Sequence, residues 1–434
     1  MSVTPQDLAN RQRLVALLDE AAEIEHMVLC QYLYAAFSLK RHPEEGGVTW
    51  AQLEKMRQWG SHLMLIARQE MEHLGLVANL LLALGEAPHF QRPNFPVSPR
   101  YYKLAIPSKL EGFGESALLR FIDLERPAEL SGENEKLLSK LFPAVLLTSF
   151  TIGALYDEIK TLFEQTAPEA LFLGSPRTQI TTSEVIPVPI RGITLPPNTP
   201  LYNVLMRPVT DRDSALATVH QIVTEGEGAH HDQQPCHFTY FLQIFEELVQ
   251  EKEKDPQFAP ARNVVTNPQT SGQDVMPPQP NTTLITNLAT NAVSLLFDGA
   301  YETMMLMLIR FFAHTSESTE ELAALQKAVF FPMMTVVIRP LGEVLTLLPA
   351  TEDLSPGAPT AGPTFATTRA MHLLPDRAAA WGVLALQLEA LTQSAKMLLY
   401  NYTYPKPVRD RLTLVYENLA RISFDFNNSR KQNP

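Results

Sequence analysis

The sequence predicts an all-α fold: a four-helix bundle followed by a second helical bundle, with a β-hairpin or loop insertion in the first. Apolar side chains recur every three to four positions along long segments of residues 1–250, which is typical of amphipathic helices. Dense prolines and short β-branched runs mark the insertion at about 167–209. A charged, then Asn/Gln/Pro-rich stretch, 251–280, predicts a linker before a helical domain at 281–434.

The first two predicted helices are long and sharply bounded. The first runs from about Pro5 to Leu39, with Thr4 as its N-cap and Pro5 at its first helical position. The second spans roughly Thr49 to Leu84 and ends at Gly85 and Pro88. Because the link between them is short, we expect the two helices to pack as antiparallel neighbours.

The remaining helices are less clearly delimited. The third is predicted between Glu133 and Gln165, and the fourth from the cap region at Thr210 to about Gln234, where Pro235 stops it. An amphipathic segment, Phe238–Gln250, completes the first domain. The second domain contains four more helical patterns, at roughly Thr283–His314, Thr319–Leu348, Asp376–Asn401 and Pro407–Asp425.

Composition excludes several classes of function. The formal net charge of −12 and the lack of Lys/Arg-rich runs argue against a nucleic-acid partner. The apolar stretches are too short or too interrupted to span a bilayer, and the first residues lack the apolar core of a signal peptide. Cys30 and Cys236 lie far apart, which favours a reducing compartment. We therefore expect a cytoplasmic protein without a membrane partner, with homo-oligomerisation left open.

Acidic and imidazole side chains fall on the predicted inward faces of the first bundle. On the second helix, Glu70 and His73 lie within the apolar stripe that runs from Leu63 to Leu84. An ionised carboxylate inside a bundle is costly unless something neutralises it. A Glu-x-x-His pair places both groups one turn apart on one face, as in bundle metal sites. A single pair is weak support, because an exposed i,i+3 pair has the same pattern.

The same inward placement recurs on the other three predicted helices. The six predicted metal ligands are Glu25, Glu70, His73, Glu158, Glu227 and His230. Their order, a Glu and then a Glu-x-x-His, twice, is that of di-iron and di-manganese carboxylate bundles. Four carboxylates and two imidazoles suit two divalent ions and leave coordination positions open for dioxygen. No catalytic residue beyond these ligands and no organic cofactor is predicted.

Three other histidines and one tyrosine were weighed against this pattern. His220 lies on the inward stripe but about 10 Å from Glu227 along the axis, at 1.5 Å per residue, so we expect a hydrogen-bonded core histidine. His26 and His237 lie off the stripe and are predicted to be surface or capping groups. Tyr32 either faces the site or is an ordinary core tyrosine.

The stretches around the predicted ligands resemble a known family. They are Ala22–His26 with Gln31–Tyr34, Arg68–His73, Ser149–Ile159 and Glu225–His230. They look like the ferritin-like domain of the iminophenyl-pyruvate dimer synthase type, found in the far larger enzymes of the violacein and rebeccamycin pathways. The resemblance covers about residues 5–250, and the second half is similar more loosely. It implies a ferritin-like bundle and, in the named members, oxidative coupling of two amino-acid-derived imines.

These observations predict a non-haem dinuclear metal oxidoreductase in secondary metabolism. We expect two iron ions, with manganese as the alternative, and O₂ or peroxide acting on a small organic substrate, which the resemblance makes amino-acid-derived. Segments 90–102 and 167–209 are expected to shape the substrate pocket. Two alternatives remain open: a manganese catalase-like or iron-binding ferritin-like protein without organic substrate, and a module whose metal is purely structural.

Overall fold

The computed structural model describes residues 3–102, 104, 106–127, 151–176, 179–180, 205–226, 236–271, 280–312, 316–367, 371 and 376–432. It confirms the predicted all-α class. Contacts divide the chain into two compact units, residues 1–179 with 206–261 and residues 180–205 with 262–434. The boundary between residues 261 and 262 lies inside the predicted linker 251–280. That stretch is not simply a linker, since it contains the end of a helix and a short strand.

Two long helices form the frame of the first unit. Helix α1 is Pro5–Ser38 and helix α2 is Trp50–Ala83, and they pack against each other along their length. The backbone N–H of Asp7 donates to Thr4 Oγ1 at 3.2 Å, and the Asp7 carboxylate accepts from the N–H of Thr4 at 2.9 Å. This capping box satisfies N–H groups that have no partner inside the helix, and Thr49 provides the same device at α2.

The other two sides of the bundle are each assembled from two shorter helices. They are α3 (Glu115–Glu125) with α4 (Ile152–Gln165), and α5 (Arg212–Gly226) with α6 (His237–Lys254); a one-turn helix, Pro168–Leu171, follows α4. Helix α3 pairs with α6 and α4 with α5, while α4 also packs on α1, and α5 and α6 contact α2. In the sequence Pro127 follows α3 and Pro235 precedes α6, and a residue without a backbone N–H is disfavoured inside a helix.

The inward faces of α4 and α5 differ from the predicted stripes. On α4 the buried positions are Ile152, Leu155, Tyr156, Ile159 and Phe163, so the face is rotated from the predicted Thr151–Glu158–Leu162 stripe. The observed register buries larger apolar side chains, and hydrophobic burial decides the orientation of a short helix. On α5 the buried side likewise runs through Ala215, Val219 and Ile222. The predicted core residue His220 is exposed there. The β-hairpin predicted at 167–209 falls largely outside the described residues.

Gly174 approaches the end of α2 too closely for any side chain. Its N–H donates to the carbonyl oxygen of Ala83 at 3.0 Å, and a Cβ on it would lie 1.6 Å from the carbonyl oxygen of Leu82. We expect Gly174→Ala to lower the free energy of unfolding by about 3 kcal/mol, the upper end of what overpacking costs. Urea denaturation followed by circular dichroism measures the change.

Gly60, inside α2, is the matched control for this prediction. A Cβ there would meet Leu39 Cδ1 at 3.5 Å, an ordinary contact. Gly60→Ala should therefore stabilise the unit by about 0.5–1 kcal/mol, the helix-interior preference for Ala over Gly. Equal unfolding midpoints for Gly174→Ala and the unmodified chain would show that the close approach carries no constraint.

The second unit is mainly helical. Its helices are α7 (Leu288–Phe312), α8 (Thr319–Ala328), a π-helical continuation (Val329–Ile338), α9 (Arg339–Leu345), α10 (Arg377–Asn401) and α11 (Lys406–Gln432). A two-stranded parallel ladder pairs β1 (Pro268–Thr270) with β2 (Thr283–Ile285), Gln269 lying opposite Leu284. Helix α10 packs on α7 and α11, which closes the core of this unit.

Two helical stretches of this unit, Leu288–Phe312 and Thr319–Leu345, are long and apolar enough to cross a bilayer. In their most apolar windows 72% and 56% of the residues are buried inside the protein. Core helices of soluble proteins have the same length and composition, so these stretches are weak evidence for a membrane span.

Candidate metal centre

Five buried side chains converge between the four sides of the first unit. Glu25 comes from α1, Glu70 and His73 from α2, Glu125 from the last position of α3 and His237 from the first position of α6. None is more than 5% exposed. They form two groups that share one residue: a first triad of Glu25, Glu70 and His73, and a second triad of Glu70, Glu125 and His237. Within each triad the potential ligand atoms lie within 4.8 Å of one another.

Glu70 joins the two triads through its two oxygens. Its Oε2 lies 3.1 Å from Nδ1 of His73, and its Oε1 lies 2.8 Å from Nδ1 of His237. Each histidine also faces one further carboxylate: Nδ1 of His73 is 3.7 Å from Glu25 Oε2, and Nδ1 of His237 is 3.6 Å from Glu125 Oε2. The arrangement is approximately symmetric about Glu70, as expected for a carboxylate that bridges two ions.

A buried tyrosine holds the outer oxygen of each flanking carboxylate. The phenol of Tyr156 donates to Glu25 Oε1, and the phenol of Tyr32 donates to Glu125 Oε1. Burial and the charge of the neighbouring carboxylate raise the pKa of both tyrosines well above the usual value, so both phenols keep their protons. In each carboxylate the tyrosine occupies Oε1 and leaves Oε2 facing the cluster. Of the two interpretations of Tyr32, the structure supports a donor at the site.

The outer nitrogens of both histidines are also held. Nε2 of His73 lies 3.2 Å from Glu225 Oε2, and Nε2 of His237 lies 3.3 Å from Gln69 Oε1. The amide nitrogen of Gln69 donates to Glu225 Oε2 at 3.2 Å. Second-layer partners of this kind orient histidine ligands and fix which ring nitrogen carries the proton.

Without a metal ion, the cluster balances its charges with protons. Burial and the charge of Glu70 raise the pKa of Glu25 to about 7. Burial acts to raise the pKa of Glu70, but His237 and His73 together outweigh it and the net shift of this pKa is downward. Burial likewise acts to lower the pKa of His237, but Glu70 and Glu125 raise it to about 10. Binding a cation here would displace protons from the imidazoles, which must be neutral to coordinate.

The donor set fits divalent metal ions. Oε1 of Glu70 and Nδ1 of His237 are buried and make no hydrogen bond within the described part of the chain, although they face each other. This buried pair has only itself to balance its charges, and a cation would satisfy the carboxylate oxygen and the imidazole nitrogen together. Carboxylate oxygens combined with imidazole nitrogens suit first-row divalent metals, and a shared carboxylate suits a pair of them. The two triads could therefore hold one ion each.

The structure brings together three of the six predicted ligands, Glu25, Glu70 and His73. It does not bring Glu158 to them. The Glu158 carboxylate is 42% exposed and accepts from Arg13 Nε at 2.8 Å, so its prediction as a ligand is corrected. The rotated face of α4 turns Tyr156 toward the cluster instead, and Glu125 of α3 supplies the carboxylate on this side. Glu227 and His230 lie outside the described residues.

Sequence reasoning missed Glu125 and His237. Glu125 follows Leu118 and Ile122 at helical spacing. However, α3 has only 11 residues and is not one of the four predicted bundle helices. His237, predicted to be a surface or capping group, is 1% exposed. Helix α6 begins at His237 with Cys236 as its N-cap, whereas the stripe of the fourth predicted helix ends at about Gln234 and so could not identify His237.

His26 is also buried, contrary to its predicted surface position. It is 0% exposed, and its Nδ1 lies 3.0 Å from the carbonyl oxygen of Phe90. Burial and the positive charge of Arg92 lower the pKa of His26 well below its usual value, so the ring is neutral. His26 therefore joins α1 to the loop after α2 and is not part of the donor cluster.

A cavity of about 20 Å³ lies beside the donors. Its described lining residues are Glu25, Glu70, His73, Glu125, Ile152, Tyr156, Ile222, Val223 and Gly226. A volume of roughly 10–15 Å³ accommodates one water molecule, so this space suits a molecule of that size. Its apolar wall comes from α4 and α5. The described lining residues include none from the predicted pocket segment 90–102. In the other predicted pocket segment, 167–209, residues 181–204 lie outside the described part of the chain.

Comparison with known proteins gives matches at the level of family, sequence and structure. A family model described as ferritin-like matches residues 18–246. Dichlorochromopyrrolate synthase of Lentzea aerocolonigenes is 25% identical over 421 residues, which covers 90% of this chain and 39% of that protein. The 2-imino-3-(indol-3-yl)propanoate dimerase of Chromobacterium violaceum is 27% identical over 411 residues, covering 91% of this chain and 38% of that protein.

The chain thus spans about two-fifths of the length of the curated relatives it matches. Among solved structures, a ferritin-like protein from Caulobacter vibrioides matches with a TM-score of 0.42 and 18% identity. The match covers 73% of this chain and 94% of that one.

Proposed function

This chain belongs to the ferritin-like family, and from that premise we propose that it is a non-haem dinuclear metal oxidoreductase with two iron ions. It uses O₂ or peroxide on a small, amino-acid-derived organic substrate in secondary metabolism. The observation that carries the proposal is the pair of buried triads joined by Glu70. Their carboxylate and imidazole donors are those of di-iron bundles.

Five described residues would hold the two ions. Glu25 and His73 would hold the first, Glu125 and His237 would hold the second, and Glu70 belongs to both triads. Glu227 and His230 remain predicted ligands. Two bound iron ions supply the electrons and the open coordination positions that reduction of O₂ or peroxide requires.

The protein prepares this chemistry with its own side chains. The phenols of Tyr32 and Tyr156 hold one oxygen of each flanking carboxylate and leave the other for a metal. Burial of the donors excludes bulk water, which strengthens every electrostatic interaction inside the site. The apolar wall of Ile152, Ile222 and Val223 leaves room for a molecule the size of water or dioxygen, so we assign the small cavity to the oxidant.

The substrate class rests on the relatives. Their names describe a synthase and a dimerase, the latter acting on an indole-bearing imino acid. The matches to both relatives cover nine-tenths of this chain, which favours an enzyme of related chemistry. For the compartment we propose the cytoplasm, since the described cysteines, Cys30 and Cys236, are buried thiols that form no disulfide, as is usual in a reducing environment.

Metal content and reaction with O₂ test the proposal directly. The metal-free chain is loaded anaerobically with Fe(II), its bound iron is counted, and O₂ is then added while the optical spectrum is recorded. We expect two irons per chain and a transient absorption after O₂ is added. Failure to bind a transition metal, or a spectrum dominated by haem, would refute the function. Bound iron that never reacts with O₂ would indicate a structural metal, and selective Mn(II) loading with peroxide disproportionation would indicate a catalase.

A further inference from the structure

Gln69 lies behind the donor cluster, contacts His237 directly and reaches His73 through Glu225. Resting on the proposed metal centre, we infer that Gln69 is a positioning residue that links His73 to His237 and couples binding of the two metal ions. It makes this link together with Glu225. Neither residue is a predicted ligand, and neither belongs to the two triads.

A continuous chain of contacts supports this inference. It runs from His237 Nε2 to Gln69 Oε1 at 3.3 Å, from Gln69 Nε2 to Glu225 Oε2 at 3.2 Å, and from Glu225 Oε2 to His73 Nε2 at 3.2 Å. The two imidazole rings lie nearly parallel, with centroids 5.5 Å apart and planes at 30°. A rotation of either ring would therefore disturb the other through the same two side chains.

The chain also selects the tautomer of both histidines. A neutral imidazole has one N–H, and the nitrogen that carries it cannot bind a metal. Gln69 Oε1 and Glu225 Oε2 are acceptors, so each places the N–H of its histidine on Nε2. The lone pair of each ring then lies on Nδ1, the nitrogen that faces Glu70.

Only an amide can fill the position of Gln69 while Glu225 stays a carboxylate. The side chain must accept from His237 and donate to Glu225 at the same time, and glutamine has both groups. Glutamate at this position would accept from His237 but place two carboxylates against each other. Leucine, of similar size, would provide neither contact. The chemistry of this link therefore depends on residue type and not only on volume.

Exchanging the two side chains provides a sharp test. In Q69E/E225Q the amide at 225 can donate to the carboxylate at 69 through Nε2 and accept from His73 through Oε1, so the chain is restored in reverse once these two atoms share the contacts that Oε2 of Glu225 makes alone. We titrate the metal-free full chain with Co(II), whose visible absorption reports coordination geometry. Q69L should weaken binding of both ions by about 10–100-fold, the usual effect of losing a second-layer partner. Q69E should also weaken it, E225Q less so, and the double variant should recover affinity and spectrum.

Two results would overturn the inference: unchanged Co(II) affinities and spectra in Q69L, or a double variant that binds no better than Q69E. Circular dichroism of each metal-free variant controls for folding. If Q69L does not fold, comparing the Co(II) affinity of Q69E with that of Q69E/E225Q still tests the inference. A wild-type chain that binds no Co(II) would count against the proposed centre itself, whereas normal wild-type binding with an unaffected Q69L would count only against Gln69.

Discussion

Glu70→Gln is expected to abolish binding of both metal ions, and not of one alone. Glu70 is the residue that both triads share, with one oxygen at His73 and the other at His237. The amide oxygen is uncharged and a weaker ligand than a carboxylate oxygen, and the amide nitrogen has no lone pair to offer, so one ion loses a charged ligand and the other loses its ligand altogether. We expect the affinity for both ions to fall by more than the roughly 10–100-fold that second-layer changes produce. Anaerobic Fe(II) titration and metal counting give the stoichiometry.

The metal-free Glu70→Gln variant should be less stable than the unmodified chain, because it leaves the protonated imidazoles of His73 and His237 without the buried carboxylate that balances their charge. Glu72→Gln is the matched control on the same helix. Glu72 is 4% exposed, but it accepts from Gln221 at 2.7 Å and belongs to neither triad. The Glu72→Gln variant should bind two ions. Retention of one tightly bound ion by Glu70→Gln would exclude a bridging role.

Glu125→Gln and Glu158→Gln are expected to differ sharply in metal content. The first removes the carboxylate that flanks His237, so the chain should keep the ion at Glu25 and His73 and lose the second. Glu158→Gln removes a carboxylate whose described ion pair is with Arg13. Both side chains of this pair are at least two-fifths exposed. Its effect on stability should stay below about 1 kcal/mol, as for other surface ion pairs. Counting bound iron in the reconstituted variants distinguishes them.

This pair of variants decides which acid completes the site on the α3–α4 side. Glu158→Gln with two bound ions and Glu125→Gln with one would support the tertiary assignment. Loss of an ion from Glu158→Gln, with Glu125→Gln unaffected, would restore the sequence-based assignment and contradict the geometry of α4. Unfolding curves of both metal-free variants show whether any loss reflects misfolding.

The two long helices were predictable from sequence alone. Each contains many turns, so a one-residue error in register would expose a whole stripe of apolar side chains and is strongly disfavoured. Within those stripes Glu25, Glu70 and His73 could be recognised, because their polarity contrasts with the surrounding residues. The capping residues Thr4 and Thr49 act locally, through hydrogen bonds within four positions, and local chemistry is readable from sequence.

Tertiary packing decided the rest of the described site. Helices α4 and α5 have 14 and 15 residues, so several registers bury comparable apolar area until their neighbours are specified. That ambiguity misplaced Glu158 and His220. Glu125 lies at the end of α3 and His237 at the start of α6, where no stripe extends far enough to indicate direction. Sequence periodicity thus determined the fold class and one triad. The second triad depends on two helix ends, distant in the chain, that only packing brings together.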